Sequence, residues 1–207
     1  MIRQWMTDNL HNSSIIVEAG TCDGSDTLWF ARHCTNGMVY GFEPIPALYN
    51  TSLAAVDSIS NVELYNKALS HKTGSATIFV SDRHGSDWGS SSLLKPKDHL
   101  FVHPDISFNS EINVDTINLD EWILSKKLSY IDLMWLDMQG SEPIVLMNAP
   151  LALDITKFIY TEVSLIETYD DVILYPEYKK FLIDNQFEIV FEDLPWRDMG
   201  NVLFRKK

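Results

Sequence analysis

Four acidic positions and two glycines carry the chemistry that can be read from this chain. Glu18, Gly20 and Gly24 follow one another in the order Glu-x-Gly-x-x-x-Gly, directly where an apolar run over Ile15–Gly20 passes into the segment that opens with Thr21, Cys22 and Asp23. Glycines at such a strand-to-helix turn leave backbone N–H groups exposed and let a ligand approach the main chain, so a side chain at either position is expected to fill ligand space. The spacing differs from the Gly-x-Gly-x-x-Gly that holds a dinucleotide pyrophosphate, which favours a ligand without one. A second apolar run, Met38–Glu43, ends in Glu43, and that acid follows Gly24 at about the twenty-residue interval at which a carboxylate meets ribose hydroxyls in such folds. The expected ligand is a nucleoside. A carboxylate at Glu18 would also suit a cationic amino group, as on the methionine end of S-adenosylmethionine, and would not suit a phosphate. The bland alternatives are an ordinary tight turn at the glycines and a solvated strand end at Glu43.

Asp137 ends the run Ile131–Asp137 and Glu162 lies near the end of Lys157–Val163. If both runs are parallel strands, the two carboxylates emerge at one sheet edge, beside the nucleoside. There they offer a general base for a weakly acidic hydroxyl, or oxygen ligands for Mg²⁺. Against this stand a helix-capping role for Asp137 and a solvated end for Glu162. Glu142 occupies a helix first turn, where the dipole favours a carboxylate in any case. Among the histidines, His84, His99 and His103 fall in a long polar stretch, and His84 is preferred as a base because Gly85 and the run Ser90, Ser91, Ser92 follow it. Ser91 and Ser92 could hydrogen-bond a polyol, with Trp88 as a stacking face. Trp196 offers a similar face, whereas Trp135, inside an apolar strand, reads as core.

The elements that must position these groups alternate between β-rich runs and helical periods, as in a parallel α/β sheet. Expected strands cover Ile15–Gly20, Met38–Glu43, Val62–Asn66, Ile131–Asp137 and Lys157–Val163, with further ones at Gly74–Val80 and Glu111–Ile117. Expected helices cover Ser25–His33, Ala47–Ser58, Leu119–Lys126, Glu142–Met147 and Pro176–Asn185, with Pro143 and Pro176 in first turns, where the missing N–H costs nothing. Glu188–Glu192 and Asn201–Arg205 read as a closing antiparallel pair. The stretch 81–110 is expected to be a long irregular substrate loop, and 1–14 a short leading segment.

With 45% hydrophobic and 12% aromatic residues, 207 residues can bury one substantial core, so a single domain over 1–207 is expected. The short segment before the first strand also permits a domain of a longer chain. A net charge of −13, from 29 acidic and 16 basic side chains, argues against a nucleic-acid partner. The basic clusters are Lys95 with Lys97 and the terminal Arg205–Lys207, both readable as solvated surface. Cys22 and Cys34 cannot make a disulfide framework, and no long apolar stretch suggests a leader or a membrane span; a cytoplasmic protein with reduced thiols is expected.

Taken in order, Val17–Thr27, Gly41–Asn50, Asn66–Ser70 with Gly74, Gly89–Leu93, Val114–Trp122, Ile131–Leu146 and Ile159–Ser164 resemble the FkbM-type S-adenosylmethionine-dependent methyltransferases. The resemblance implies a Rossmann-like class I methyltransferase fold, a mostly parallel seven-stranded sheet with a closing antiparallel strand pair. It further implies that Glu18, Gly20 and Gly24 line the methionine end, that Glu43 binds the ribose and that Ala68 lies near the adenine. Two positions depart from the family pattern. Cys22 stands where asparagine is usual, and Gln139 replaces the commoner glutamate, so an acidic role there does not transfer. The implied activity is O-methylation of a sugar, glycan or related polyol. Alternatives from other classes are a nicotinamide-dependent oxidoreductase, disfavoured by the glycine spacing, and a non-catalytic nucleoside-binding accessory domain. Methylation of nucleic acid or protein is disfavoured by the acidity.

Overall fold

The structure is a computed structural model that describes residues 2–83, 86–87 and 89–207. Its centre is a seven-stranded sheet. Strands β1 (Ile15–Ala19), β2 (Met38–Phe42) and β3 (Val62–Tyr65) run parallel on one side. In chain order, β4 (Ala68–Ser70), β5 (Gly74–Arg83), β6 (Ser86–Asp87) and β7 (Ser107–Asn118) form a separate four-stranded sheet, in the order β4-β7-β5-β6. The main sheet then resumes with β8 (Ile131–Leu136), β9 (Thr156–Ser164), β10 (Phe187–Asp193) and β11 (Met199–Lys206), to give the order β10-β11-β9-β8-β1-β2-β3. β8 lies parallel to β1 and to β9, while β11 is antiparallel to both β9 and β10. The expected parallel core and closing antiparallel pair are both present.

Strands covered on both faces must be apolar on both faces. β1 shows this in Ile16, Val17 and Ala19, all at most 1% exposed, and β8 in Leu133, Met134 and Leu136. Helices α2 (Ser25–His33) and α3 (Pro46–Ala55) follow β1 and β2. Beyond β7 come α5 (Leu119–Lys126), then α6 (Glu142–Met147) and α7 (Pro150–Ile155) between β8 and β9, and α8 (Tyr175–Asp184) before β10. Asn118 caps α5 by accepting from the backbone N–H groups of Asp120 and Glu121, the reason the helix starts there. Phe30, Trp122, Tyr178 and Phe204 fill the two layers beside the sheet.

The order reverses between β1 and β8: the chain steps outward from β1 through β2 to β3, then returns to place β8 on β1's other side. Helices leaving the two strands there diverge to opposite faces, and a crevice opens beyond their carboxyl ends.

One expectation needs correction, and two helices were not expected. The stretch 81–110 is not one irregular loop, because β5 reaches Arg83, a short helix α4 (His99–Val102) forms, and β7 begins at Ser107. The expected strands at Gly74–Val80 and Glu111–Ile117 are therefore longer than read, extending to Arg83 and back to Ser107 through polar residues that carry no apolar run. The leading segment holds helix α1 (Ile2–Asn9), anchored by buried Met6, by Trp5 edge-on to Phe158 and by Arg3 stacked over Trp29. Helix α7 was also unread; its backbone N–H groups at Leu151 and Ala152 are capped by the Asp120 carboxylate.

Candidate functional site

At the reversal, β1 and β8 end side by side. The Asp137 amide donates to the Ala19 carbonyl at 3.0 Å, and the amides of Gly20 and Thr21 donate to the Phe42 carbonyl at the end of β2. Beyond these ends lies a cavity of about 170 Å³. Its floor includes Gly20, Cys22 and Asp137; Glu43, Pro44 and Ile45 form one wall, Ala68 and Ile78 of the second sheet another, and Ser91, Ser92 and Gln139 close it.

Six of the residues expected at the site therefore line one cavity: Gly20, Glu43, Ala68, Asp137, Ser91 and Ser92. Others sit behind the wall. Glu18 is 1% exposed, faces helix α2 and accepts a 2.6 Å hydrogen bond from Thr27 Oγ1. Burial pushes its carboxyl up to about 8, with the charges of Glu43 and Asp137 adding to the rise and Arg3 and Thr27 opposing it. Thr21 shares a hydrogen bond with Ser52 on α3, and Asp23 accepts from the Ser25 amide at the start of α2.

The glycines also serve close packing within the protein. Gly20 has φ +88°, and a Cβ there would lie 2.0 Å from the Asp137 carbonyl oxygen; Gly24 has φ +78°, and a Cβ would lie 2.9 Å from Ser52 Cα. What a side chain would meet first is protein: Gly20 keeps β1 against β8, and Gly24 keeps α2 against α3. Glu43 is a hinge pin for the same turn, since its two oxygens accept from the amides of Cys22 (3.0 Å) and Ile45 (2.9 Å).

Glu162 is not a solvated strand end. It is 7% exposed, and its carboxylate, that of Asp137 and that of Glu142 present oxygens within 4.8 Å of one another. Gln139, in the left-handed region at φ 54°, places its side-chain amide nitrogen between two of them, donating to Asp137 Oδ1 at 2.9 Å and Glu162 Oε2 at 3.0 Å. Its carbonyl oxygen faces the Tyr169 hydroxyl, which also donates to the Ser90 carbonyl. Glu142 accepts from the Met138 amide. Burial is the main cause that raises the pKa of all three acids: Asp137 above its ordinary value, Glu142 to about 8, and Glu162 well up, with the Asp137 and Glu142 charges adding to it. Asp137 itself is exposed and lines the cavity, whereas Glu142 and Glu162 are buried.

Ser91 and Ser92, expected to meet an acceptor, line the cavity; Ser91 Oγ accepts from the Ser81 amide at 2.9 Å, and Ser92 Oγ donates to the Gln139 carbonyl at 2.7 Å while accepting from the Leu94 amide. Their hydroxyls hold the strap over the cavity. His84 and Trp88 lie outside the described residues.

A second, wider cleft of about 650 Å³ adjoins the first, and the two share Cys22, Gly89 and Gln139. Arg83, His103, Asp105, Trp196 and Asp198 line it. His103 and Trp196 were among the residues considered from sequence, but Asp198 and its pairing with His103 were not, since the two stand 95 positions apart. Ser141 was missed as well. Its hydroxyl is buried on the first cavity's wall with no hydrogen-bond partner among the described residues, and nothing in the local sequence marks it.

A seven-stranded sheet of this order, with its cavity at the β1/β8 reversal, is the fold of S-adenosylmethionine-dependent methyltransferases. The chain is similar to the fibrillarin of Aeropyrum pernix solved with natively bound S-adenosyl-L-methionine, at TM-score 0.54 and 14% identity over 94% of this chain and 68% of that one. It is similar also to an rRNA methylase from Streptococcus thermophilus, at TM-score 0.53 and 14% identity over 100% and 94%. At such identities the likeness shows the fold alone. The chain belongs to the FkbM methyltransferase family, whose methyltransferase FkbM domain matches residues 18–191. A curated relative, the 2-O-methyltransferase NoeI of Sinorhizobium fredii (strain NBRC 101917 / NGR234), is 32% identical over 159 residues; the match covers 75% of this chain and 65% of the relative.

Proposed function

We propose that this protein transfers the methyl group of S-adenosylmethionine to a hydroxyl of a sugar, glycan or related polyol. The observation that carries the reading is the pair of adjoining clefts: a narrow one at the strand reversal between Glu43 and Asp137, and a wide one that meets it at Cys22, Gly89 and Gln139. In-line displacement at a sulfonium needs donor and acceptor on opposite sides of one carbon, and alignment alone can supply much of the rate. Glu43 would accept from the ribose hydroxyls, Ala68 and Ile78 would face the adenine, and the buried Ser141 hydroxyl would gain the partner it lacks. The carboxylate group around Asp137 favours a cation, and the donor carries one on sulfur and one on its amino group.

Mg²⁺ fits the same place less well. Three carboxylates suit a hard cation, but the Gln139 amide nitrogen, a donor that cannot coordinate, stands between Asp137 and Glu162. A small acceptor is favoured over a polyanion, because the net charge is −13 and the basic clusters are paired, Lys97 with Glu167 and Arg205 with Glu188. Both cysteines are free thiols, and among the described residues no helix is long and apolar enough to cross a membrane, which accords with work in the cytoplasm.

Calorimetric titration with S-adenosylmethionine, S-adenosylhomocysteine and NAD⁺ tests the cofactor, and mass spectrometry of glycosides incubated with enzyme and donor tests the transfer. Binding of NAD⁺ alone, or no methylated product, refutes the reading. Asp137→Asn should further erode the preference for the cationic donor over its neutral product, because it removes a carboxylate from the donor's side of the cleft.

A further inference from the structure

The second cleft contains an imidazole arranged as general bases are arranged. His103 directly follows α4, half-exposed to the cleft, and its Nε2 lies 2.8 Å from Oδ2 of Asp198, whose side chain is 5% exposed. A buried carboxylate on one ring nitrogen fixes the tautomer, because Nε2–H donates to it and the lone pair is left on Nδ1. Nδ1 makes no hydrogen bond among the described residues. Asp198 is held in turn, its backbone carbonyl accepting from the Leu165 amide at 2.7 Å.

Other groups around the ring leave it that role. His99, one turn back on α4, is fully buried at 4.9 Å from His103 and stays neutral at physiological pH, because burial and then the His103 charge push it down to about 4. Arg83 and Asp105, on the same cleft, are paired with each other at 2.5 Å. Glu162 is close enough to feel the Asp198 charge, and its carboxylate accepts from Gln139. Trp196, 57% exposed, stands on the same cleft and offers a flat apolar surface of the kind that receives a sugar ring.

We propose that the second cleft is the acceptor site and that His103, oriented by Asp198, is the base that takes the acceptor's hydroxyl proton. The proposal rests on the methyl-transfer reading above. As the acceptor oxygen bonds to the methyl carbon, the carbon–sulfur bond breaks and its electron pair returns to sulfur, which leaves neutral S-adenosylhomocysteine. The hydroxyl proton passes to Nδ1 of His103 and from there to water once product leaves. The positive charge that began on sulfur thus ends on an imidazolium beside Asp198. An alcohol is a poor nucleophile with its proton in place, so a positioned base contributes about 10²- to 10⁴-fold. Asp198 is a positioning residue, and Asp137 belongs to the donor side.

The test uses the full chain with methyl-labelled S-adenosylmethionine and a panel of methyl glycosides as acceptor probes, across a pH series. His103→Gln and His103→Asn should lower turnover about 10²- to 10⁴-fold, lose the acid limb of the pH–rate profile, and bind S-adenosylhomocysteine as the wild type does, which also shows that they are folded. Asp198→Asn should keep part of the turnover and displace that limb. Wild-type turnover with an unaltered acid limb in His103→Gln, on a glycoside the wild type methylates, overturns the assignment of the base. If the wild type methylates none of the glycosides, the sugar-acceptor reading falls and this proposal falls with it.

Discussion

Glu18 sets a pH dependence of stability that one substitution should remove. Its carboxyl titrates near 8 in the folded chain, against about 4.5 unfolded, because burial outweighs the help of Thr27 and Arg3. For an acid whose folded pKa is raised, the folded state holds the extra proton between the two values. Stability from this group is therefore complete below the unfolded pKa and declines as pH rises towards 8. Integrating over pH 5 to pH 8 gives a loss of about 3.5 kcal/mol from Glu18 alone, at 1.36 kcal/mol per unit. Glutamine keeps an oxygen for Thr27 and cannot ionise, so Glu18→Gln should lose that much less across the same window. For a chain of this size each kcal/mol moves Tm by about 2–4 °C, so the wild type should gain markedly on the variant as the pH is lowered from 8 to 5. Glu142, raised to about 8 by burial, gives both proteins a similar remaining slope, so the informative quantity is the difference between the two curves. Thermal or urea unfolding of ligand-free protein at several pH values measures it. Parallel curves for wild type and Glu18→Gln would show that Glu18 ionises freely in the folded chain and refute the reasoning.

Glu43→Ala removes the carboxylate that holds the Cys22 and Ile45 amides and faces the cavity, and should weaken S-adenosylhomocysteine by about 1.5 to 3 kcal/mol, roughly ten- to 150-fold in Kd; unchanged affinity rules out the ribose assignment. Gly20→Ala should destabilise the ligand-free protein by about 1–3 kcal/mol or more, since its Cβ meets the Asp137 carbonyl at 2.0 Å in left-handed backbone; an unaltered Tm with lost cofactor binding would hand the turn back to the ligand. Methyl transfer should survive a chelator, because the Gln139 amide occupies the space between Asp137 and Glu162; loss of activity restored by Mg²⁺ would show that this amide turns away to admit a metal.

Local pattern was enough for the parallel core. The runs at Ile15, Met38, Ile131 and Lys157 are apolar on both faces, so they read as buried strands without any knowledge of their neighbours, and Pro143 and Pro176 mark helix starts by what proline lacks. The order of Glu18, Gly20, Gly24, Glu43 and Asp137 likewise brought the cavity's position within reach, because in such a sheet each strand delivers its last residue to the same edge. The direction in which a side chain leaves that edge was not legible. Glu18, one residue from the end of β1, turns into the packing under α2, while Asp137, one residue past the end of β8, opens into the cavity. Glycine spacing could not tell a turn shaped for a ligand from one pressed against Asp137 and Ser52. The strands at Gly74 and Glu111 were legible, but not that they pair with each other in a separate sheet, because their register is set only by the partner strand. His103 and Asp198 met only in the folded chain, where the short helix α4 and the approach to β11 bring an imidazole and a buried carboxylate to 2.8 Å. Backbone propensity and burial act over a few residues and can be read along the chain, whereas the pairing of distant charged groups depends on how the layers close, and only the tertiary structure decides it.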